Sequence, residues 1–241
     1  MIKAVIFDID GTLVDSVDLH ARCWQQTFSH FGHEVAFEAV RSQIGKGGDQ
    51  LMPVFLSKEE IEQHGEEIED FRSTLFKEKY LPQVHGFAAT RELLQRIKRN
   101  GQELALASSA KGDELATYKK IARIDELIDR ETSSDDVEQS KPHPDIFEAA
   151  LGRLGLDASE AITVGDSPYD AQAAAKSDCA RLASSAAAFR NRICALPVVL
   201  RFTATRPICW RISPGRLLAR MPHPRGAPEV SVLPRLSQRP V

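Results

Sequence analysis

Hydrophobic positions along the chain form two alternating patterns, short apolar runs and stripes with a spacing of three to four residues. The runs predict strands at residues 2–7, 103–107 and 161–164, and a short strand near 127–129. The stripes predict helices between these strands. Strands that alternate with helices predict an α/β fold with a parallel sheet, whose strands all end at one edge.

A block of helices interrupts this alternation directly after the first strand. Apolar residues between Val17 and Phe31 recur at helical spacing behind Ser16, a residue type that favours the N-cap. Ser57 is the predicted cap of a long charged helix, and a glycine-rich loop at residues 45–48 precedes it. We therefore expect a helical domain over residues 16–82. The α/β core is then formed by residues 1–15 and 83–178.

Polar residues follow the ends of three predicted strands. The first strand runs into Asp8-Ile9-Asp10-Gly11-Thr12, where Asp8 and Asp10 leave the same face of extended backbone. Ser108 follows the second strand and Asp166 the strand at 161–164. Because parallel strands bring these ends to one edge, we expect a ligand site there.

Composition narrows the class of protein. A chain of 241 residues with 42% hydrophobic content can bury one large core and a smaller accessory unit. No apolar run approaches the roughly 18 residues of a membrane span, and two early aspartates interrupt the N-terminus, so we expect no signal peptide and a cytoplasmic location. The spacing of the four cysteines fits neither a zinc site nor a disulfide framework.

Four segments resemble the motifs of one known family, the haloacid dehalogenase-like (HAD) hydrolase superfamily. They are, in the order of that family, DIDGTLVDS, LALASSAK, SKPHPDIF and VGDSPYDAQAA. The first motif contains a second Asp, and in this it is similar to the first motif of the phosphotransferases of the superfamily. The resemblance implies a Rossmann-like parallel sheet with helices on both faces and an inserted α-helical cap domain, as in its phosphatase and β-phosphoglucomutase-like branch.

The resemblance also implies a role for each matching residue. Asp8 is the expected nucleophile and Asp10 the expected acid and base. The expected phosphate ligands are Ser108, Ser109 and Lys141, and the expected ligands of a Mg²⁺ cofactor are Asp8, Asp10, Asp166 and Asp170. Candidates for contacting the rest of the substrate are His20, Lys46 and Lys111.

Charge explains why such a site needs cations. A carboxylate that attacks a phosphate dianion is repelled by about 4 kcal/mol per unit pair at about 4 Å and an effective dielectric near 20. Magnesium and Lys141 would offset this repulsion. We therefore expect a magnesium-dependent hydrolase of a small phosphate monoester, phosphoglycolate-like or sugar-phosphate-like, acting through an aspartyl-phosphate. Its partner is a small phosphorylated metabolite, without nucleic acid or membrane.

Two other functions fit parts of the sequence. A phosphosugar mutase similar to β-phosphoglucomutase would share the helical cap and a histidine near His20. A phospho-acceptor signalling module would also place an acceptor aspartate at the end of a strand, but the insert after the first strand and the DxDGT sequence argue against it. The oligomeric state stays open.

The last part of the chain differs in kind from the rest. Residues 1–178 contain 20 basic and 33 acidic residues, whereas residues 179–241 contain 11 basic residues, one acidic residue and eight of the thirteen prolines. We expect an irregular, poorly ordered tail. Permitted codons read in a shifted frame encode a strand, the Gly-Gly-Phe turn of the family and an amphipathic helix. This favours a frameshift and a catalytically impaired product.

Overall fold

A central parallel sheet organises the protein in a computed structural model, which describes residues 1–183, 210–213 and 216–219. The strands, in chain order, are β1 (Ala4–Phe7), β2 (Val14–Asp15), β3 (His85–Gly86), β4 (Glu103–Ala107), β5 (Arg130–Thr132), β6 (Ala161–Gly165), β7 (Ala180–Ala183), β8 (Trp210–Ser213) and β9 (Arg216–Ala219). The α-helices are α1 (Val17–His30), α2 (Phe37–Arg41), α3 (Gly48–Leu51), α4 (Lys58–Leu75), α5 (Thr90–Arg99), α6 (Gly112–Ala122), α7 (Asp145–Leu154) and α8 (Pro168–Lys176).

The sheet has the strand order β5-β4-β1-β6-β7, and all its pairs are parallel. Alternate residues of β1 face two separate hydrophobic layers. Phe7 packs in a cluster with residues of α5 and α6, and Ile6 packs in another with residues of α7 and α8. Helices therefore cover both faces, and the predicted Rossmann-like fold is confirmed.

Strand β5 begins later than the sequence pattern predicts. The predicted position of this strand, near residues 127–129, is wrong. A 3₁₀ turn occupies Asp125–Leu127, and the pairing with β4 starts at Arg130, opposite Ala105. Asp129 explains the shift. Its carboxylate accepts hydrogen bonds from the Leu104 N–H at 2.8 Å and from Lys98 Nζ at 2.6 Å, and so holds the chain ahead of the strand.

Helices α1 to α4 lie between β2 and β3 and have a hydrophobic core of their own. Trp24 and Phe28 of α1 pack in this core with Ile68 of α4. The chain enters and leaves the helical unit through β2 and β3, which pair antiparallel through Val14 with Gly86 and Asp15 with His85. The predicted domain boundaries, residues 16 and 82, lie just inside this ribbon.

The two predicted helix caps have different outcomes. Ser57 forms a capping box at the start of α4, since its side chain accepts from the Glu60 N–H and the Glu60 carboxylate accepts from the Ser57 N–H. Ser16 lies at the predicted N-cap position of α1, but its side chain makes no cap hydrogen bond. Its hydroxyl donates to Asp10 instead.

The C-terminal region is more regular than predicted. Strand β7 adds a fifth strand to the sheet beside β6, and β8 and β9 form an antiparallel hairpin, so the prediction of an irregular tail is wrong for these segments. The predicted poor order of the other residues after 183 concerns residues outside those described. Within the described part of the chain, no helix combines the length and the apolar character that crossing a membrane requires.

Candidate active site

Asp8 lies at the carboxyl end of the central strand and is almost completely buried. Its N–H donates to the Val164 carbonyl at 2.8 Å, which continues the ladder between β1 and β6 by one residue. Its carboxylate oxygen Oδ1 lies 2.5 Å from Lys141 Nζ. The residue predicted as nucleophile is therefore fixed both by its backbone and by a buried ion pair.

Lys141 is a buried cation between two carboxylates. Its side chain is 1% exposed, and Nζ lies 2.8 Å from Asp170 Oδ1 and donates to the Ala107 carbonyl at 3.1 Å. Burial acts to lower the pKa of Lys141, but the carboxylates of Asp170 and Asp8 raise it above its ordinary value. Lys141 therefore stays charged at any physiological pH.

Three carboxylates converge beside Lys141. Oxygen atoms of Asp8, Asp166 and Asp170 all lie within 4.8 Å of one another. Burial raises the pKa of Asp166 to about 7, and Asp170 and Asp10 add to this rise. Burial likewise raises the pKa of Asp8 well above its usual value, although Lys141 acts against this. The cluster thus holds more negative charge than one lysine offsets.

This donor set fits a magnesium ion. Mg²⁺ prefers hard oxygen ligands and binds through one or two carboxylates together with substrate phosphates. A divalent cation would also offset the burial and the repulsion that raise the pKa of Asp166. Asp170 has further contacts, since its Oδ2 accepts from the Ser167 N–H at 3.0 Å and from the Ser167 hydroxyl at 2.6 Å.

The turn after Asp10 depends on a glycine. Gly11 has φ +73°, in the left-handed region that glycine adopts without strain. A Cβ at this position would overlap the Asp166 carboxylate. Gly11 therefore allows both the turn and the close approach of Asp166 to the loop.

Asp10 lies at the boundary between the core and the helical unit. His20 Nε2 of α1 lies 3.0 Å from Asp10 Oδ1, and the Ser16 hydroxyl donates to the same oxygen. Burial alone would raise the pKa of Asp10, but His20, Ser16 and Arg72 together lower it below its ordinary value. Asp10 is therefore an anion in this arrangement.

Ser108 and Ser109 lie at the end of β4, on the same edge of the sheet. The Ser108 N–H donates to the Thr132 carbonyl at 3.1 Å, and its hydroxyl accepts from the Ala110 N–H at 3.0 Å. Ser108 is fully buried, whereas Ser109 is partly exposed and lines a cavity. The structure thus brings the residues predicted from all four motifs to one edge.

The three candidates for substrate contact have different positions. His20 is buried against Asp10, and its ring stacks on Phe76 at a centroid distance of 4.1 Å. Lys46 donates to Gln43 Oε1 at 2.7 Å and lies 4.9 Å from the centre of the Tyr169 ring. Lys111 precedes α6. Both lysines line the same cavity as Ser109.

A buried polar network behind His20 is not predicted by the sequence analysis. Arg72 of α4 donates to His20 Nδ1 at 2.8 Å, and Tyr118 of α6 lies 2.9 Å from His20 Nε2 and donates to Glu114 Oε1 at 2.7 Å. One feature of the sequence could have indicated this network. Arg72 lies four residues from both Ile68 and Phe76, so it is a charge on the buried stripe of its helix.

Comparison with known proteins agrees with this architecture. The phosphoglycolate phosphatase of Yersinia pestis is 33% identical over 183 residues, which cover 74% of this chain and 78% of that protein. Pyrophosphatase PpaX of Bacillus velezensis is 32% identical over 173 residues, which cover 71% of this chain and 78% of that protein.

A solved structure and a family model extend the comparison. The crystal structure of a hydrolase from Pseudomonas syringae matches with a TM-score of 0.65 and 25% identity, and covers 75% of this chain and 83% of that chain. A family model described as haloacid dehalogenase-like hydrolase matches residues 5–184. The predicted family is therefore confirmed, and the chain belongs to the haloacid dehalogenase-like hydrolases.

Proposed function

We propose that the protein is a magnesium-dependent phosphatase that hydrolyses small phosphate monoesters through an aspartyl-phosphate on Asp8. The observation that carries this proposal is the buried pair of Asp8 and Lys141, 2.5 Å apart, beside the further carboxylates Asp166 and Asp170. A structural ion pair has no need of extra buried acids. A site that receives phosphate and a divalent cation does.

In the first half of the reaction, a carboxylate oxygen of Asp8 attacks phosphorus and the bond to the leaving oxygen breaks. Lys141 holds the Asp8 carboxylate in place and supplies positive charge next to the incoming phosphate. Asp10, an anion in the free site, must first take up a proton from solvent, and then gives that proton to the leaving oxygen. Ser108 and Ser109 are the proposed hydrogen-bond donors to the phosphoryl oxygens.

In the second half, water attacks phosphorus, the bond to Asp8 breaks, and Asp10 takes the proton of the water. The hydrogen bonds from His20 and Ser16 both end on Oδ1 of Asp10, so in our proposal the proton is exchanged through Oδ2. Because these donors lower the pKa of Asp10, they favour the anionic form that this half requires.

Magnesium would be held by the carboxylates of Asp8 and Asp166 and the main-chain carbonyl of Asp10, and would supply positive charge to offset that of the phosphoryl group. Asp170 is placed by its hydrogen bonds to Ser167 and by its ion pair with Lys141. The proposed substrate is a small phosphorylated metabolite, and the cytoplasmic location stays a prediction.

The test is hydrolysis of p-nitrophenyl phosphate with and without Mg²⁺. We expect activity that requires the metal and is lost in Asp8→Asn but retained in Asp70→Asn, a matched change at an exposed position of α4. Acid quenching during turnover should leave a phosphoryl group on the peptide that contains Asp8. Activity that survives in Asp8→Asn would refute the proposal. Conversion of a sugar phosphate to its isomer with a bisphosphate activator would favour the mutase alternative.

A further inference from the structure

His20 lies at the centre of a buried polar network that connects the helical unit with the core. Its ring stacks on Phe76 with an interplanar angle of 3°, which fixes the plane of the ring. Two features remain to be determined, namely which edge of the ring points towards each partner and which nitrogen carries the proton. Both matter for catalysis, because Nε2 faces the carboxylate of Asp10.

Arg72 determines the state of the other ring nitrogen. A terminal guanidinium nitrogen of Arg72 lies 2.8 Å from His20 Nδ1, and a guanidinium has N–H donors but no acceptor. Nδ1 must therefore accept this hydrogen bond, which requires that it carry no proton of its own. A ring turned by half a rotation would place a carbon atom at this point and leave the Arg72 donor without its partner. Arg72 thus selects both the orientation of the ring and the tautomer with its proton on Nε2.

The contacts of His20 Nε2 agree with this tautomer. Nε2 lies 3.0 Å from Asp10 Oδ1, and an ionised carboxylate can only accept. Nε2 also lies 2.9 Å from the hydroxyl of Tyr118, whose single proton is donated to Glu114 Oε1 at 2.7 Å. The Tyr118 oxygen is therefore an acceptor towards His20 as well. A neutral imidazole with one proton, on Nε2, satisfies all three partners of the ring.

Glu114 of the core helix α6 holds the network together from the opposite side. One of its oxygens accepts from Tyr118, and the other lies 3.9 Å from the Arg72 guanidinium. Arg72 also lies over the rings of Phe76 and Trp24, at 5.2 and 5.6 Å from their centres. Its side chain is only 14% exposed. Arg72 therefore has a defined position from which to direct His20.

Asp10 is the residue on which the network acts. The Nε2–H of His20 and the hydroxyl of Ser16 both donate to Asp10 Oδ1, so rotation of the carboxylate would break two hydrogen bonds. In the opposite tautomer, an unprotonated Nε2 would face the carboxylate with its lone pair and repel it. Asp10 would then turn away, and the oxygen proposed for proton exchange, Oδ2, would lose its position.

We propose that Arg72 is a positioning residue for proton transfer by Asp10. It fixes His20 in the tautomer that donates from Nε2, and His20 in turn holds Oδ1 of Asp10 and leaves Oδ2 for the reacting oxygen. This inference rests on the proposed phosphatase function, and it adds to that function a residue of the helical unit that acts through His20.

The first test compares two esters of similar shape that differ in their need for an acid. The nitro group stabilises p-nitrophenolate, which leaves without a proton, whereas the more basic phenolate of phenyl phosphate depends on one. We expect Arg72→Met to lower kcat/KM with Mg²⁺ at least about tenfold more for phenyl phosphate than for p-nitrophenyl phosphate. Equal losses on both esters would overturn the inference, because a purely structural role affects both esters alike.

The ratio of the two kcat/KM values does not change with a loss of folded protein, because both esters report on the same active fraction. Arg22→Met is the matched control. Arg22 is an exposed residue of α1 that also lies over an aromatic ring, at 5.1 Å from the centre of Phe37. We expect its replacement to leave the ratio unchanged. A tenfold change in Arg22→Met would contradict a specific effect of Arg72.

The second test asks whether Arg72 acts through His20. We expect His20→Leu to shift the ratio in the same direction as Arg72→Met, because Asp10 loses the same hydrogen bond. Arg72→Met added to His20→Leu should then change the ratio by less than about twofold. A change as large as in the wild-type background would show that Arg72 acts by another route, and would refute the proposal.

Nitrogen NMR separates this inference from the proposed function, because it needs no substrate. Long-range correlations between the ring protons and ring nitrogens of the ¹⁵N-labelled full chain show which nitrogen is protonated, and the His20 signals are those that disappear in His20→Gln. We expect a proton on Nε2 and none on Nδ1. A protonated Nδ1 would overturn the inference whether or not turnover occurs. Absence of magnesium-dependent hydrolysis of both esters by the wild type would refute the proposed function instead.

Discussion

Lys141 forms ion pairs with two buried carboxylates of the candidate site, Asp8 and Asp170. It separates Asp8 from Asp170 at 2.5 and 2.8 Å in surroundings that exclude water almost completely. Sequence resemblance identifies Lys141 as a phosphate ligand, but its depth and second partner depend on how α7 and α8 pack on the sheet. A linear pattern does not contain that information.

Removal of this cation should therefore cost stability as well as activity. We expect Lys141→Met to lower the free energy of unfolding by about 3–5 kcal/mol, because it leaves buried carboxylates without a partner. Asp170→Asn in the same chain should recover part of that loss. Urea denaturation of the two single variants and the double variant measures the coupling. Strictly additive losses would show that Lys141 does not act through Asp170.

Gly11 and Gly101 allow the effect of backbone strain to be distinguished from the effect of crowding at the candidate metal site. Gly11 and Gly101 both have positive φ, +73° and +80°, but a Cβ at Gly101 would meet nothing within 4 Å, whereas one at Gly11 would overlap Asp166. We expect Gly11→Ala to abolish Mg²⁺ binding and Gly101→Ala to leave it intact with a modest loss of stability. Calorimetric Mg²⁺ titration of both variants decides this. Equal Mg²⁺ affinity in both would argue against a metal site at Asp166.

The raised pKa of Asp166 predicts a pH-dependent effect of magnesium on stability. Its pKa rises from 3.8 to about 7 on folding, so the folded state binds a proton more tightly between these values. The stability that this group contributes is therefore lost as pH rises through that range in metal-free protein. Magnesium would take the place of the proton, so we expect it to raise the Tm more at about pH 7.5 than at about pH 5. Thermal melts of the wild type and of Asp166→Asn, which should lose the difference, test this.

Among the elements, those with strong periodicity are predictable and those fixed by tertiary contacts are not. Strand β4 has the bounds that the sequence predicts, because it has a clear apolar pattern and a clear terminus. Strand β5 is displaced because Asp129 binds the backbone of β4. The position of Arg72 on the buried stripe of α4 similarly has meaning only once Glu114 and His20 lie opposite it.

The capping box of α4 gives a prediction at this scale. We expect Ser57→Ala to reduce the free energy of unfolding by about 1 kcal/mol, because the Glu60 N–H loses its acceptor. Thr74→Ala, at an exposed position inside the same helix, should be neutral or slightly stabilising. Urea denaturation of both variants provides the comparison, and a smaller loss for Ser57→Ala than for Thr74→Ala would contradict it.

At the scale of the whole molecule, the convergence of three of the four motifs follows from topology. Parallel strands end at one edge, so Asp8, Ser108 and Asp166 can be expected to meet before any coordinates are known. The cavity lined by α1 and α4 cannot be anticipated in this way, because the sequence does not specify how the helical unit lies on the core. Strand β7 shows a further limit of prediction from the sequence, since this segment was expected to be irregular but pairs with β6.

The frame of the C-terminal segment remains a prediction, and sequencing of the gene tests it directly. We expect a version with the restored frame after residue 178 to melt at a higher temperature, because it would add a buried amphipathic helix. The gain in melting temperature should be smaller than it would be if the whole edge strand were missing, since β7 already pairs with β6. Equal melting temperatures would refute the predicted gain in stability, and a gene without a coding alternative frame would refute the frameshift.

The burial of Lys141 also affects the chemical accessibility of the protein. With a side chain that is 1% exposed and a proton held by two carboxylates, its amine is out of reach of acylating reagents in the folded state. Labelling of surface lysines with dyes or cross-linkers should therefore spare the centre of the site. Modification at Lys141 would report unfolded molecules in the sample.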